Sequence, residues 1–316
     1  MKIAVLTSGG DAPGMNAAIR AVVRTGEIYG HEVVGVKDGY KGLVDGDFVK
    51  LNHQSVSGML SRGGTFLGTS RLPEFKDEKV RQIAIKNMKE NGIDALIAIG
   101  GDGTYHGAME LAKEGIKTIG LPGTIDNDIA GTDFTIGFAT AVETIVDAID
   151  KLRDTSNSHQ RVSIIEVMGR RSGDLAVYAG ICGGAEFIIT PENPMDKDSM
   201  VETIKKYKHE GRRHAVVVVT EKLLDVHQLA DEISNLSGFS SRATVLGYIQ
   251  RGGSPCPDDR ILGSRMGTYA VELLNDDIHG VCVGIRDSRM NHLPFANVVD
   301  QHRPKSELYS LVKKVS

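Results

Sequence analysis

The stretch ALIAIGGDGTYHGAMELAKEGIKTIGL, residues 95–121, predicts the fold of this chain. It reads as an apolar strand over 95–100, a helix over 103–115 and a second apolar strand over 117–121. Strands that are apolar at nearly every position are typical of a parallel sheet covered by helices on both faces. The stretch therefore predicts a strand–helix–strand unit of an α/β fold.

The same alternation continues on both sides of this unit. Further strands are predicted at 3–6, 32–36, 162–168, 185–190, 214–220 and 281–285, and further helices at 15–30, 80–92 and 138–155. A chain of 316 residues fits two domains better than one. Ligands of such sheets bind beyond the carboxyl ends of the strands, which is where the 37 glycines cluster.

The composition excludes several classes of protein. A net charge of −4, an aromatic content of 5% and the lack of tryptophan give no basis for a nucleic-acid or acidic-membrane partner. Cys182, Cys256 and Cys282 form no CxxC pair, which indicates a reducing compartment and no zinc site. No apolar run approaches the ~20 residues of a membrane span. We therefore expect a soluble cytoplasmic protein with no membrane or nucleic-acid partner.

Two glycine-rich turns are candidate phosphate sites. In LTSGGDAPGMN (6–16), Met15 and Asn16 stand where a P-loop needs Lys and Ser or Thr, and no GxGxxG is present, so Asp38 is a weak candidate for a ribose ligand. This turn is either an anion site at a helix start or a tight strand-to-helix turn. In IGGDGTYHGA (99–108), Asp102 is either a Mg²⁺ ligand beside phosphate or a helix N-cap.

A third turn, LPGTIDNDIAGTDF (121–134), carries Asp126, Asp128 and Asp133. Turn chemistry alone explains such residues, because Asp and Asn hydrogen-bond their own backbone. In an extended turn, however, Asp126 and Asp128 face the same side, and close carboxylates raise one another's pKa.

Arginines near turns and strand ends would suit an anionic substrate, although each alone is more often a surface residue. They are Arg71, Arg161, Arg170, Arg242 and Arg251.

Taken together, several segments resemble the bacterial ATP-dependent 6-phosphofructokinases. They are LTSGGDAPGMNAAIR, RGGTFLGTSR, GGDGTYHGA, LPGTIDNDI, DTSNSHQRVSIIEVMGR, GGAE, TEK and LGYIQRGGSP. The match runs in family order from Lys2 to about residue 290 and is highly specific in combination, whereas GGDGT alone also occurs in NAD kinases and diacylglycerol kinases.

The resemblance implies a glycolytic homotetramer that transfers the γ-phosphoryl group of ATP, with Mg²⁺, to the 1-hydroxyl of fructose 6-phosphate. It also implies two Rossmann-like three-layer α/β domains with mainly parallel sheets and with the chain crossing between them. An ATP-binding domain would take 1–137 plus 251–301, and a sugar-phosphate-binding domain 138–250 plus 302–316.

The resemblance also implies roles for individual residues. Asp126 is the general base, Asp128 supports it, Thr124 holds the transferring group, and Arg71 and Arg170 neutralise the transition state. The ATP side comprises Gly10, Tyr40, Arg71, Leu72, Gly101, Asp102, Gly103 and Thr104, with Asp102 holding Mg²⁺. The sugar side comprises Thr124, Ile125, Asp126, Arg161, Met168, Gly169, Arg170, Glu221, Arg242, Tyr248 and Arg251, of which Arg161 and Arg242 serve a neighbouring subunit.

A regulatory site for ADP and phosphoenolpyruvate is implied as well. Its matching residues are Arg20, Arg24, Arg153, Gly184, Glu186, Arg212, Arg213 and His214. Five positions depart from the family pattern: His53 replaces an Arg, Gly58 an Asp, Glu210 a basic residue, Tyr248 a phosphate-binding His and Leu72 an aromatic residue. Weaker phosphate contacts predict a blunted response to effectors, unless Arg212 and Arg213 compensate.

Two other functions fit the sequence less well. A pyrophosphate-dependent relative would carry Asp at Gly103 and Lys at Gly123, which this chain does not. A regulator that senses nucleotides or sugar phosphates without chemistry would not need the intact Asp102, Thr124, Asp126 and Arg170.

Overall fold

The computed structural model describes residues 1–194 and 196–315, without the side chains of Lys313 and Val315. Met195 and Ser316, which the predicted sugar-phosphate domain includes, lie outside the described residues. The strands are β1 (Lys2–Ser8), β2 (Glu32–Val36), β3 (Phe48–Leu51), β4 (Ala95–Gly100), β5 (Lys117–Pro122), β6 (Arg161–Val167), β7 (Phe187–Ile189), β8 (Ala215–Thr220), β9 (Ser240–Val245), β10 (Val281–Arg286) and β11 (Arg289–Pro294). The α-helices are α1 (Met15–Ile28), α2 (Tyr40–Asp45), α3 (Glu78–Glu90), α4 (Asp102–Lys113), α5 (Phe138–His159), α6 (Asp174–Cys182), α7 (Lys197–His209), α8 (Val226–Ser237), α9 (Pro257–Asn275) and α10 (Leu308–Val315).

The first sheet has the strand order β11-β10-β5-β4-β1-β2-β3. Its inner strands pair in parallel, and the edge strands β3 and β11 are antiparallel to their neighbours. Every residue of β4 is buried. Leu96 and Ala98 join a core cluster with residues of α2, α3 and α4, and Ile97 and Ile99, which point to the other face, are also fully buried. The sheet is therefore covered on both faces, as its apolar strands predicted.

The second sheet has the order β7-β8-β6-β9, with parallel pairing throughout. Every residue of β8 is buried, and Val217 and Val219 pack with residues of α7 and α8 in a second core cluster. The prediction of mainly parallel sheets in an α/β fold is confirmed.

The strands that the sequence did not predict are β3, β9 and β11, and each lies at the edge of a sheet. Their residues are mostly exposed or half-buried. Because an edge strand is paired on one side only and is partly open to water, it need not be a continuous apolar run.

The chain forms two compact units. Unit 1 comprises Met1–Ile125, Ile129–Thr140 and Arg251–Arg303, and unit 2 comprises Asp126–Asp128, Ala141–Gln250 and Pro304–Ser316. The chain passes between them several times. Three residues of the TIDND turn belong to unit 2, whereas the residues before and after them belong to unit 1.

Candidate active site

The glycine-rich turns of unit 1 lie along one edge of its sheet. In the registers of adjacent parallel strands, Ser8 at the end of β1 pairs with Gly100 of β4, and Gly100 pairs with Pro122 of β5. The carboxyl ends of these strands are thus side by side. The turns after β1, β4 and β5 therefore share one edge of the sheet, where ligands of parallel sheets bind.

The turn after β4 requires glycine because a side chain of α4 and the backbone of β1 crowd it. A Cβ on Gly100 would lie 2.3 Å from Thr104 Oγ1 and 2.4 Å from the Ser8 carbonyl oxygen. The Thr104 hydroxyl donates to the same Ser8 carbonyl at 3.0 Å and is buried. The side chain of Thr104 therefore links the start of α4 to the end of β1 by a hydrogen bond.

Asp102 is the first residue of α4, and the N-cap is Gly101. The alternative that Asp102 caps the helix is therefore wrong. Its side chain is 51% exposed and lies 3.7 Å from His106 Nε2, and His106 Nε2 lies 3.1 Å from Asp300 Oδ1. The candidate ligand atoms of these three side chains lie within 4.8 Å of one another. An exposed carboxylate at a helix N-terminus fits Mg²⁺, which keeps several waters and phosphate oxygens among its ligands.

Gly103 leaves space at this turn. Among the described residues, no atom lies within 4 Å of the position that a Cβ on Gly103 would take. The backbone is thus open to approach from outside the chain.

Tyr40, predicted on the ATP side, lies in the core cluster next to α4, and Leu72, also predicted there, packs against that cluster. Tyr40 is 5% exposed, stacks on Phe75 at 4.2 Å and donates its hydroxyl to the Thr104 carbonyl at 2.5 Å. Burial raises the pKa of Tyr40 well above its usual range. Arg71 is exposed. The Tyr40 hydroxyl thus bonds the backbone of the first turn of α4.

Gly10, after β1, lies beside Arg251. A Cβ on Gly10 would be 3.1 Å from Arg251 Cζ. The glycine lets the guanidinium approach the backbone of the first turn. The structure therefore brings Arg251, predicted on the sugar side, next to a residue predicted on the ATP side.

Thr124 follows β5 next to the second turn. A Cβ on Gly101 would lie 3.7 Å from Thr124 Cβ. The Thr124 carbonyl accepts the Thr135 hydroxyl at 2.5 Å, and the following Ile125 is buried at 2% exposure.

In unit 2, Asp126 and Arg170 form an ion pair. Arg170 Nε lies 3.7 Å from Asp126 Oδ2, and Asp126 is 3% exposed. The turn is not extended, because Asn127 has a φ of 51°. The expectation that Asp126 and Asp128 point the same way rested on an extended turn and therefore loses its basis. Asp128 is half-buried.

Arg170 lies in the loop after β6, whose backbone conformation depends on Gly169. Gly169 has a φ of 131°, and a Cβ there would lie 2.4 Å from the Ser172 carbonyl oxygen, so the loop requires glycine. The Arg170 amide donates to Glu221 at 3.2 Å, and the Met168 amide donates to Gln250 at 3.1 Å. The structure thus groups Met168, Gly169, Arg170 and Glu221.

Arg161 lies away from this group. It begins β6, whereas Arg170 follows the end of the same strand, and a strand of that length spans about 20 Å. Arg242 pairs in register with Ser163 near the start of β6 and is exposed. Tyr248 is also exposed, at 76%.

Comparison with known proteins identifies the family. A family model described as phosphofructokinase matches residues 2–274.

The chain belongs to the phosphofructokinase family.

An ATP-dependent 6-phosphofructokinase of Aliivibrio fischeri is 55% identical over 316 residues, covering 99% of each chain. A phosphofructokinase structure from Saccharomyces cerevisiae has a TM-score of 0.86 and 37% identity, covering 99% of this chain and 46% of that chain. This chain thus spans less than half of the yeast chain. A pyrophosphate-dependent phosphofructokinase of Marinobacter aquaeolei has a TM-score of 0.87 at 21% identity, covering 97% and 86%, and shows the shared fold.

These findings confirm the resemblance, the fold class and the prediction of a kinase of the phosphofructokinase family. In the described part of the chain, no helix combines the length and apolar character needed to span a bilayer.

The residues matched to the regulatory site of phosphofructokinases group separately in each unit. In unit 2, the Arg153 guanidinium donates to the carbonyls of Gly183 and Gly184, and Glu186 accepts the Val216 amide at 2.7 Å. Arg213 and His214 immediately precede β8, beside this group.

Of the other residues matched to this site, Arg212 is exposed, whereas Arg20 and Arg24 are half-buried. Arg212 stacks 4.0 Å over Tyr207 and lies 3.8 Å from Glu210. In unit 1, Arg20 and Arg24 lie one turn apart on α1, and burial together with the charge of Arg24 lowers the pKa of Arg20. His53 lies 3.5 Å from Glu27, and Gly58 has a φ of 70°.

Several buried polar residues were not predicted from the sequence. Asp259 is 1% exposed and accepts the Gly137 amide and both the amide and the hydroxyl of Thr140. Asp174 accepts the side-chain amide of Asn127. Both aspartates lie in the first turn of a helix, Asp174 in α6 and Asp259 in α9.

Proposed function

We propose that the protein transfers the γ-phosphoryl group of ATP to the 1-hydroxyl of fructose 6-phosphate. The observation that carries this is the buried Asp126 carboxylate with Arg170 at 3.7 Å, on the turn that matches the family motif. The name of the Aliivibrio fischeri relative supports the same reaction.

In the proposed reaction, Asp126 accepts the proton of the sugar 1-hydroxyl as its oxygen bonds to the γ-phosphorus. The bond from that phosphorus to the β–γ bridging oxygen breaks, and ADP and fructose 1,6-bisphosphate are formed. Because such transfers depend mainly on positioning and on neutralisation of charge, Arg170 and Arg71 are proposed to stabilise the phosphoryl oxygens. Thr124 holds the transferring group, and Asp128 supports the base.

Unit 1 is proposed to bind ATP, through the Gly10 turn, Arg71 and the Gly101–Thr104 turn. Free amides at the start of α4 suit phosphate oxygens, and the open space at Gly103 fits their approach. Asp102 would hold Mg²⁺, which would neutralise phosphate charge during transfer. Asp300 and His106 lie beside that carboxylate.

ATP is proposed as the donor in preference to pyrophosphate. At Gly123 a Cβ would lie 2.9 Å from both Ile99 Cγ2 and Met15 Cε. The lysine of the pyrophosphate-dependent relatives therefore has no room here unless the core around Ile99 and Met15 shifts.

Unit 2 is proposed to bind the sugar through Met168, Gly169, Arg170 and Glu221. Arg161 and Arg242, about one strand length from Arg170, are proposed to serve the 6-phosphate of a neighbouring subunit. We also propose that the protein is a homotetramer and acts in the cytoplasm.

Regulation by ADP and phosphoenolpyruvate is proposed to be weakened. Glu210 lies 3.8 Å from Arg212 and 3.6 Å from Lys206 and competes with an anionic effector for both cations. His53 stands where the family has an Arg, and its Nδ1 already lies 3.5 Å from Glu27 Oε2.

The test is to incubate the protein with fructose 6-phosphate and either ATP or pyrophosphate, and to quantify fructose 1,6-bisphosphate chromatographically. Direct quantification avoids coupling reagents that contain phosphoenolpyruvate. Product with ATP alone supports the proposal. Product with pyrophosphate alone would assign the other donor, and binding of both ligands without product would favour the non-catalytic regulator.

A further inference from the structure

The turn that carries the candidate base is anchored at its centre by a buried hydrogen bond. Asn127 is fully buried, and its side-chain Nδ2 donates to Asp174 Oδ2 at 2.9 Å. The Asn127 backbone has a φ of 51°, a left-handed conformation that non-glycine residues adopt uncommonly and Asn most readily. The directions in which Asp126 and Asp128 leave the turn therefore depend on this anchored residue.

Asp174 is itself fixed by neighbouring elements. It is 4% exposed and is the first residue of α6, where the helix dipole favours a negative charge. The Ser172 hydroxyl accepts the Asp174 amide at 3.3 Å. One carboxylate oxygen faces Asn127, and the other accepts a hydrogen bond from a distant part of the chain.

That donor is Tyr309 on the C-terminal helix α10, whose hydroxyl lies 3.2 Å from Asp174 Oδ1. Burial, followed by the nearby carboxylates of Asp174 and Glu192, raises the pKa of Tyr309 well above its usual range. The hydroxyl thus keeps its proton at physiological pH and acts as a donor.

We infer that Tyr309 and Asp174 are positioning residues for the candidate base. Tyr309 orients the Asp174 carboxylate, Asp174 holds the Asn127 amide, and Asn127 holds the left-handed turn that presents Asp126 and Asp128. The C-terminal helix is thereby part of the catalytic apparatus, although none of its residues is assigned to touch substrate. The expected change in kcat rests on the proposed function, whereas the expected change in the conformation of the turn rests on the geometry alone.

Tyr309→Phe removes only the hydroxyl and is the first variant. Misplacement of a reacting group by ~1 Å can cost about 10²-fold in rate, so loss of one link is expected to lower kcat about tenfold with little change in KM for the sugar. Tyr269→Phe is the matched control, since its hydroxyl also bonds a side chain, His292 at 2.8 Å, and lies in unit 1. It should leave kcat unchanged.

A double-mutant cycle separates positioning from general stability. Asn127→Gly keeps the left-handed backbone accessible and removes the amide link. If Tyr309 acts through Asn127, adding Tyr309→Phe to Asn127→Gly should lower kcat no further, whereas independent effects would multiply.

Amide hydrogen exchange over residues 124–129 supplies a readout that needs no activity. Exchange should be faster in Tyr309→Phe and in Asn127→Gly than in the wild type, and unchanged in Tyr269→Phe. If the wild type forms no product, the proposed function fails. The exchange measurement alone then tests whether Tyr309, Asp174 and Asn127 hold the turn. Wild-type exchange in both variants, or multiplicative losses of kcat, would overturn it.

Discussion

Replacing Asp126 by asparagine probes the candidate base, because asparagine keeps the size of the side chain and cannot take up the proton. Asp126 is 3% exposed, so bulk water has little access to serve as the base instead. Loss of a positioned base costs ~10²–10⁴-fold in rate. That is about 2.7–5.5 kcal/mol of activation free energy, and we expect kcat of Asp126→Asn to fall within this range.

The same substitution should leave folding and sugar affinity nearly intact. Its ionic partner Arg170 is 50% exposed and stays hydrated when the charge of Asp126 is lost. Because the guanidinium end of this 3.7 Å pair is open to water, we expect its loss to change the free energy of unfolding little. The melting temperature and the dissociation constant of fructose 6-phosphate, both measured calorimetrically, check both points.

Initial rates at saturating ATP and sugar phosphate give kcat. Asp133→Asn is the matched control, since Asp133 lies in the same stretch and accepts the Asp287 amide at 2.8 Å, a bond that the asparagine oxygen can keep. We expect the control to retain wild-type kcat. An Asp126→Asn enzyme with more than a tenth of wild-type kcat would refute the assignment of the base.

Three further predictions concern affinity, regulation and stability. Tyr248→His should lower KM for fructose 6-phosphate more at pH 6 than at pH 8, because a His side chain is charged below pH ~6.5. Its hydrogen bond to the phosphate contributes at most about 1.5–3 kcal/mol. A KM that is unchanged between pH 6 and pH 8 contradicts this prediction. Phosphoenolpyruvate should inhibit the wild type only shallowly at sub-saturating sugar, and more strongly after Glu210→Gln; sigmoidal inhibition of the wild type at micromolar effector, relieved by ADP, would show a fully working site. Asp259→Ala should lower the free energy of unfolding by about 3 kcal/mol, because it leaves the buried donors of Gly137 and Thr140 without an acceptor. Urea titrations measure this, and the exposed neighbour variant Asp258→Ala should change the unfolding midpoint little. Equal midpoints for the two variants would argue against the role of Asp259.

The parts of the fold that were predicted from sequence have a local cause. β4 and β8 are buried on both faces, so nearly all their residues are apolar and the pattern is visible in a short window. The glycines after β4 are required by contacts with Thr104 and Ser8 and mark the turn just as clearly. Edge strands such as β9 carry no such pattern, because water reaches part of their surface.

The parts of the site that escaped prediction depend on long-range contacts. Asn127, Asp174 and Tyr309 form one hydrogen-bonded chain although they are far apart in sequence. Neither periodicity nor spacing reports such a pairing. The turn is not extended as expected, because Asn127 has a left-handed φ while its side chain bonds the distant Asp174.

The central claim is tested most directly by following a label from ATP into the sugar. Incubation with γ-³²P-ATP and fructose 6-phosphate should yield fructose 1,6-bisphosphate labelled at the 1-phosphate and unlabelled ADP. The Asp126→Asn enzyme should form this product at least tenfold more slowly, as loss of a positioned base requires. Label that remains in ATP or appears only as inorganic phosphate, in a folded wild-type protein that binds both substrates, would contradict the account.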